Sequence, residues 1–256
     1  MSNSSFASRW AWADIDLGAV RNNVTALVAA NSSQQLWAVV IANAYGHGAV
    51  EVANAALQAG AAGLCVALAD EALALRAAGI TAPVLVMSEQ PASQYTAMIE
   101  HDVIATLYNE TLIKQYSKAA NDATHKALVH LKIDTGMHRV GVGVDGALTA
   151  ATLITSQPSL QLDGVYTHLA TADDAAHLDA ALQLRRFSEV VDQLGKAGIA
   201  PRHVHVATRL LPFVGLAPNF TQPWFAPELR CTALHQTHQA IRSESQQLLC
   251  CSQFCR

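Results

Sequence analysis

Residues 37–48 read Trp-Ala-Val-Val-Ile-Ala-Asn-Ala-Tyr-Gly-His-Gly, and this stretch predicts how the rest of the chain is organised. Its first half is an apolar, β-branched run, which is typical of a buried strand. Its second half is more polar and glycine-rich, which predicts a turn, and an alanine-rich helical pattern follows. Because such a strand places its last side chains at the mouth of a parallel sheet or barrel, functional residues are expected there.

The composition predicts a folded protein with a large buried core. Of the 256 residues, 51% are hydrophobic and only 14% are charged, which argues against a disordered chain. A formal net charge of −4 provides no basic surface for nucleic acid. No run of ~20 apolar residues occurs, so a membrane span is not expected. Residues 1–9 lack the apolar segment of a secretory signal, and we therefore expect a cytoplasmic protein.

The five cysteines do not indicate a metal site. Four of them follow residue 230, whereas Cys65 belongs to the body of the chain and is expected to be a reduced, buried thiol. A zinc cluster could be assembled from Cys250, Cys251, Cys255, His235 and His238. Since these residues contain no Cys-x-x-Cys pair, chance composition is the favoured interpretation, and no metal site is predicted.

Strand-like and helix-like segments alternate along most of the chain. The strand candidates are 36–42, 63–68, 83–87, 103–107, 128–134, 162–169 and 203–207, and the helical stretches between them are 49–59, 69–78, 92–100, 110–120, 147–156 and 175–197. This alternation predicts βα units and a parallel sheet. Seven such units favour an α/β fold of the TIM type, a (β/α)₈ barrel that is incomplete, over an open sheet. We therefore expect a barrel over 1–207 and an irregular segment over 208–256.

The opening stretch closely resembles the cofactor-anchoring motif of the alanine racemases, Ala-Val-Val-Lys-Ala-Asn-Ala-Tyr-Gly-His-Gly. In that family the lysine holds pyridoxal 5′-phosphate as a Schiff base. The matching residue of this chain is Ile41, which has no amine. By this resemblance the family's tyrosine that hydrogen-bonds the cofactor phosphate corresponds to Tyr45. On its own, Ile41 is a good strand residue and Tyr45 could be a packing residue.

Two further stretches are similar to motifs of the same family. Residues 131–139, Leu-Lys-Ile-Asp-Thr-Gly-Met-His-Arg, resemble the fifth-strand motif, whose lysine is often carbamylated and whose arginine lies over the cofactor and helps to bind the substrate carboxylate. The resemblance assigns these roles to Lys132 and Arg139. Residues 167–173 resemble the sixth-strand motif, in which a histidine, here His168, packs beside the pyridoxal ring. Without the family context, these residues would be rim charges and a barrel histidine.

The chain departs from the family after residue 207. Residues 203–207 begin the seventh-strand motif, but Thr-Arg-Leu-Leu-Pro-Phe follows where the family has Asn-Ser-Ala-Ala-Thr-Leu. One missing adenine would convert one into the other, and the same shift can read 225–236 as the family's eighth-strand motif. Our hypothesis is that 208–256 is out of frame and that the C-terminal β domain is missing. We expect 36–42 and 203–207 to be unpaired edges, and hence low solubility.

The resemblance implies interconversion of L- and D-alanine, for cell-wall D-alanine supply, by a pyridoxal-phosphate-dependent homodimer. This chain is expected to be impaired, since Ile41 cannot bond the cofactor or move a proton, and covalent attachment and strong pairing are not expected. One alternative is a single-domain pyridoxal-phosphate-binding barrel of the cofactor-homeostasis kind, although those proteins retain the lysine. Another is a non-catalytic interaction protein or relic.

Overall fold

The structure is a computed structural model that describes residues 13–30, 34–170, 179–208 and 224–227. Its strands are β1 (Gln35–Val39), β2 (Gly63–Val66), β3 (Val84–Val86), β4 (Val103–Leu107), β5 (Ala127–Asp134), β6 (Val142–Gly143), β7 (Leu160–His168), β8 (His203–Thr208) and β9 (Trp224–Pro227). The helical segments are α1 (Leu17–Ala30), α2 (Ile41–Tyr45), α3 (Ala49–Gln58), α4 (Ala69–Ala77), α5 (Tyr95–Glu100), α6 (Glu110–Asp122), α7 (Ala147–Thr155) and α8 (Asp179–Lys196).

The strands form a parallel barrel of the TIM type, which confirms the predicted fold class. Neighbouring strands follow the order β4, β3, β2, β1, β9, β8, β7, β5, and a further pairing of β4 with β5 joins the two ends. The two-residue strand β6 pairs only with the end of β5. Seven of the barrel strands precede residue 209, as the sequence predicts. Since all of them are parallel, their carboxyl ends meet at one mouth.

The expectation that two barrel edges would be unpaired is wrong. Strand β9 pairs in parallel with β1, with Leu36 and Phe225 as register partners, and with β8, with Val206 and Phe225 as register partners. These four residues lie in the segment predicted to be irregular, and they supply an eighth strand. Their position overlaps 225–236, which the shifted reading frame translates as the family's eighth-strand motif. Residues 209–223 and 228–256, with the cysteine and histidine cluster considered above, lie outside the described residues.

Large rings fill the barrel interior, and glycines at the paired positions of the neighbouring strands make room for them. A Cβ atom on Gly63 would lie 2.7 Å from the ring of Trp37, and one on Gly164 would lie 2.6 Å from the ring of His130. An alanine at either position would force a buried ring to move. A second, larger apolar layer packs the helices against the outside of the sheet, as expected when crossover helices cover a parallel barrel.

Two sequence-based expectations about the body of the chain can be compared with the structure. Cys65 is buried and free, as predicted, and its burial raises the pKa of the thiol. None of the helices in the described part of the chain is long and apolar enough to cross a membrane.

Candidate active site at the mouth of the barrel

The opening motif forms an unusual turn immediately after β1. Four successive residues that are not glycine, Ala42 to Tyr45, have φ values between +50° and +56°, so α2 is a left-handed turn. For residues with a Cβ atom this conformation costs roughly 1–2 kcal/mol each. Gly46 continues the turn with a φ of +86° and closes it with a hydrogen bond from its N–H to the carbonyl oxygen of Ala42. Such a strained segment needs support from its surroundings.

Side-chain oxygens provide that support. The Glu71 carboxylate accepts a hydrogen bond from the N–H of Ala42 at 2.5 Å through Oε1. Its Oε2 accepts from the N–H groups of Ala67 and Leu68 at 2.8 and 2.9 Å. Within the motif, Asn43 Oδ1 accepts from the first N–H of α3 at 2.7 Å. Sequence reasoning assigned no role to Glu71, because its partners lie up to 29 residues away in the chain.

The turn sets the positions of Ile41 and Tyr45. Ile41 follows the end of β1, is partly buried and packs against the apolar cluster inside the barrel, which includes Val39 and Tyr166. Tyr45 ends the turn and is 40% exposed. The side chain expected to carry an amine is therefore an apolar group in contact with the barrel interior, whereas the tyrosine hydroxyl lies on a side chain open to solvent.

Lys132 lies near the carboxyl end of β5, with its side chain inside the barrel. The residue is only 6% exposed, and its Nζ lies 5.4 Å from the centroid of the Tyr166 ring. Within the described residues its amine forms no ion pair and no hydrogen bond. Burial lowers the pKa of Lys132 to about 8; the charge of Arg139 acts in the same direction, and Asp134 opposes both. A substantial fraction of this amine is therefore neutral near physiological pH.

His168 ends β7 at the same mouth. Burial, together with the charges of Lys132 and Arg139, lowers the pKa of His168 to about 4, so the imidazole is neutral at pH 7. Arg139 itself is exposed. The structure thus brings Lys132, Arg139 and His168 close enough to influence one another, at the end of the barrel where Ile41 and Tyr45 also lie. We call these five the mouth residues.

The loop that carries Arg139 is held by Asp134, another residue to which sequence reasoning assigned no role. Its Oδ1 accepts hydrogen bonds from the N–H groups of Gly136, Met137 and His138 at 2.9, 2.9 and 3.1 Å. Burial raises the pKa of this carboxyl, but these backbone bonds and His138 outweigh burial and bring it below its usual range. An Asp followed two residues later by Gly is a recognisable signal for such an Asx turn.

A second polar cluster lies deeper in the barrel, in the first halves of β5, β7 and β8. It consists of His130, Asp163, His203 and His205, which we call the floor cluster. The Nδ1 of His130 lies 2.9 Å from the Nε2 of His205, and Asp163 Oδ2 lies 3.4 Å from the Nε2 of His203. Burial lowers the pKa of all three imidazoles. The sequence did not reveal this cluster, since its members are up to 75 residues apart.

The floor residues also pack closely against aromatic rings. The ring of His205 stacks on that of Tyr166, with centroids 4.6 Å apart, and lies parallel to Trp37 at 6.3 Å. Across the described part of the chain, no group of His, Cys, Asp and Glu could hold a metal ion. The floor cluster is therefore a stacked core with one hydrogen bond between imidazoles, in which the Nε2 of His130 lies 3.6 Å from Asp163 and forms no hydrogen bond with any described residue, whereas the mouth presents cationic and neutral donors.

Comparison with known sequences identifies relatives of this barrel. The family described as "Alanine racemase, N-terminal domain" matches residues 15–208. The alanine racemase of Desulfosudis oleivorans is 40% identical, over 78% of this chain and 55% of that protein. Alanine racemase 1 of Bacillus subtilis is 40% identical, over 72% of this chain and 47% of that protein. The chain thus spans about half the length of these curated relatives.

Solved structures show the same fold. The alanine racemase from a D-cycloserine-producing Streptomyces lavendulae matches with a TM-score of 0.78 and 35% identity, over 85% of this chain and 57% of that one. The alanine racemase of Bacillus anthracis with bound L-Ala-P matches with a TM-score of 0.78 and 33% identity, over 88% and 58%. Both comparisons cover the barrel and leave the rest of those proteins unmatched.

Proposed function

Because the chain belongs to the alanine racemase N-terminal domain family, we propose that it is the cofactor-binding barrel of an alanine racemase, with the interconversion of L- and D-alanine impaired by Ile41. The observation that carries this proposal is the apolar side chain of Ile41, packed on the interior cluster at the position where the family motif has an amine. The same proposal includes three further assignments. Residues 1–207 form the barrel domain, the mouth residues form the cofactor site, and the protein is cytoplasmic.

The mouth residues can be tested against the cofactor of the family, which is pyridoxal 5′-phosphate. A cationic guanidinium at Arg139, a buried amine at Lys132 and the hydroxyl of Tyr45 are suitable donors for an anionic phosphate or carboxylate. Ile41 offers no nitrogen for a covalent bond. The donor set therefore fits retention of the cofactor, but it does not fit its attachment at residue 41.

When bound, pyridoxal phosphate supplies an electron sink for chemistry at the α-carbon of an amino acid. In the proposed function Tyr45 and Arg139 both help to hold the anionic cofactor, and Arg139 also orients the carboxylate of the amino acid. His168, neutral at pH 7, adds no positive charge beside Lys132 and Arg139. Ile41 can neither accept nor return a proton, and a missing general base typically costs roughly 10²–10⁴-fold in rate. We therefore expect this chain to bind pyridoxal phosphate but to catalyse racemisation only slowly.

Equilibrium dialysis of the full chain against pyridoxal phosphate tests this proposal. The wild-type chain should retain the cofactor, and Arg139→Gln should weaken retention by about tenfold, since a charge-assisted hydrogen bond contributes about 1.5–3 kcal/mol. Arg185→Gln is the matched control, because Arg185 is an exposed arginine of α8 paired with Glu189; it should bind like wild type. No retention by the folded chain would overturn the proposal, as would turnover of D-alanine at the rate of an intact racemase.

The pairing of two copies, which the sequence expects to be weakened, is also part of this proposal. Analytical ultracentrifugation of the full chain with and without pyridoxal phosphate would measure it. The proposal predicts a monomer at micromolar concentration; a stable dimer would show that pairing does not depend on the segments in which this chain departs from its relatives.

A further inference from the structure

Lys132 differs from every other lysine of the chain. The sequence contains five lysines, and the other four, Lys114, Lys118, Lys126 and Lys196, are all exposed. Two of these form surface ion pairs at 2.5 Å, Lys114 with Glu110 and Lys118 with Asp122. Lys132 alone is inside the barrel, at 6% exposure, and no carboxylate of the described residues pairs with it.

A buried lysine without a counter-ion is unfavourable as an ammonium ion and tends to be neutral. Two features of its surroundings act on this tendency in opposite directions. The Lys132 Nζ lies 5.4 Å from the centroid of the Tyr166 ring, a contact that favours the charged amine, but the Tyr166 hydroxyl is engaged with Thr106 at 2.9 Å and with the carbonyl oxygen of Met87 at 3.2 Å and supplies no counter-ion. Burial and the nearby charge of Arg139 lower the pKa of the amine to about 8. Desolvation beside another cation is a recognised way to make a lysine nucleophilic.

Lys132 and Ile41 both lie beside the apolar cluster inside the barrel. Ile41 packs on the interior apolar cluster of which Tyr166 is a member, and the Lys132 Nζ lies over the Tyr166 ring. The amine of Lys132 therefore lies inside the same barrel, beside the same apolar cluster, as the position from which the family's amine is missing. Arg139 adds a positive charge that favours a small anionic ligand at this mouth.

We infer that Lys132 captures pyridoxal phosphate as a Schiff base, in place of the absent amine at residue 41. This inference rests on the proposed function, because it takes the mouth of the barrel as the cofactor site. It revises the expectation that covalent attachment is lost, since that expectation followed from residue 41.

The step balances without any further reactant. The lone pair of the neutral Lys132 Nζ attacks the aldehyde carbon, and the C=O bond becomes a hydroxyl as one proton moves from nitrogen to oxygen. The hydroxyl then leaves with the second nitrogen proton as water, and a C=N bond forms. No oxidation or reduction occurs.

Peptide mapping after reduction tests the inference. The full chain is incubated with pyridoxal phosphate in buffer free of carbon dioxide, which keeps the amine from forming a carbamate, then reduced with borohydride, digested and analysed by mass spectrometry. Most of the pyridoxyl label should lie on Lys132. Lys132→Met should lose at least tenfold of the total label, whereas Lys126→Met, an exposed control, should keep it. Circular dichroism confirms that each variant is folded.

A second measurement keeps the inference testable if Lys132→Met does not fold. Pyridoxine phosphate, which has the phosphate and ring but no aldehyde, should compete with labelling of Lys132 in the wild-type chain. Label spread over the exposed lysines and insensitive to the competitor overturns the inference. Cofactor retained in dialysis but not fixed by borohydride overturns it as well and leaves the proposed function intact, whereas absence of both retention and label overturns the two together.

Discussion

The floor and the mouth of the barrel differ in what surrounds their buried ionisable side chains. In the floor cluster each imidazole faces another floor residue or a ring, for example His130 with His205 at 2.9 Å and His205 stacked on Tyr166 at 4.6 Å. At the mouth, Lys132 is nearly as buried, yet it has no ion-pair partner among the described residues. The floor imidazoles are packed against one another and Asp163, although the Nε2 of His130 forms no hydrogen bond within the described part of the chain, while an amine at the mouth with no carboxylate beside it in that part of the chain is available to a ligand. We therefore interpret the floor as structural and the mouth as functional.

The largest expected loss of stability comes from removing a side chain of the floor cluster. His130→Ala removes a fully buried ring beside Trp37 and leaves His205 without its partner. The cavity and the lost hydrogen bond should reduce the free energy of unfolding by about 3–5 kcal/mol. The matched change at the mouth, His168→Ala, should cost far less, because His168 is partly exposed and its imidazole has no hydrogen-bond partner in the described part of the chain. Urea denaturation measures both; equal losses would contradict the contrast.

Acid should destabilise the protein before its carboxylates titrate. The pKa of His203 is lowered to about 4 and that of His205 well below its usual 6.5, in each case mainly by burial. Since the unfolded chain takes up these protons near pH 6.5 and the folded chain does not, stability is complete above pH 6.5 and falls as the pH is lowered toward 4. Thermal midpoints measured from pH 7.5 to pH 4 should decline throughout this window.

The pKa of His168 is also lowered, to about 4, so His168 adds to the loss of stability in acid. A variant of His168 can therefore separate the contribution of the mouth from that of the floor. His168→Gln should keep most of the decline, because the three floor histidines remain. A midpoint independent of pH between 6.5 and 4 would contradict the burial of neutral imidazoles in the floor.

A smaller effect is expected from the support of the left-handed turn. Glu71→Gln replaces one of the two carboxylate oxygens that accept from Ala42, Ala67 and Leu68 by an amide nitrogen, which cannot accept. The loss of charge-assisted bonds should cost about 1–2 kcal/mol. Amide hydrogen exchange should become faster at Ala42, and retention of pyridoxal phosphate should weaken. As a control, Glu51→Gln changes an exposed carboxylate of α3 and should alter neither quantity.

The smallest stability effect is expected at Lys132. Lys132→Met keeps the length of the side chain and removes an amine that has no counter-ion in the described residues, so the free energy of unfolding should change by less than about 1 kcal/mol, and in the direction of greater stability. The thermal midpoint measures this change. A large loss of stability would mean that Lys132 belongs with the floor as a structural residue.

The sequence predicted most of the barrel, because apolar strands and alanine-rich helices alternate clearly up to residue 207. It did not predict the eighth strand, since Trp-Phe-Ala-Pro at 224–227 carries neither an alternating nor a repeated pattern. It also extended the first strand over 36–42, whereas β1 ends at Val39. Four left-handed residues without glycine have no local signal, because the interactions that stabilise them, such as the carboxylate of Glu71, come from another part of the chain.

For the candidate site, the sequence predicts which residues take part but not how they are buried or paired. Its residues were found because they stand in recognisable motifs, and the structure places Lys132, Arg139 and His168 together. The burial and missing partners of Lys132 could not be predicted, since they depend on the ring of Tyr166 from β7 and on barrel closure. The floor cluster was missed because isolated histidines in strands give no sign of which partner they will meet.

The central claim is that the mouth is a cofactor site whose anchor at residue 41 has been lost, and Ile41→Lys tests it most directly. After incubation with pyridoxal phosphate and reduction with borohydride, peptide mass spectrometry locates the pyridoxyl group. We predict that the folded variant carries it on residue 41, with the label on Lys132 reduced by at least tenfold relative to wild type. A folded Ile41→Lys variant without label on residue 41 would contradict the account.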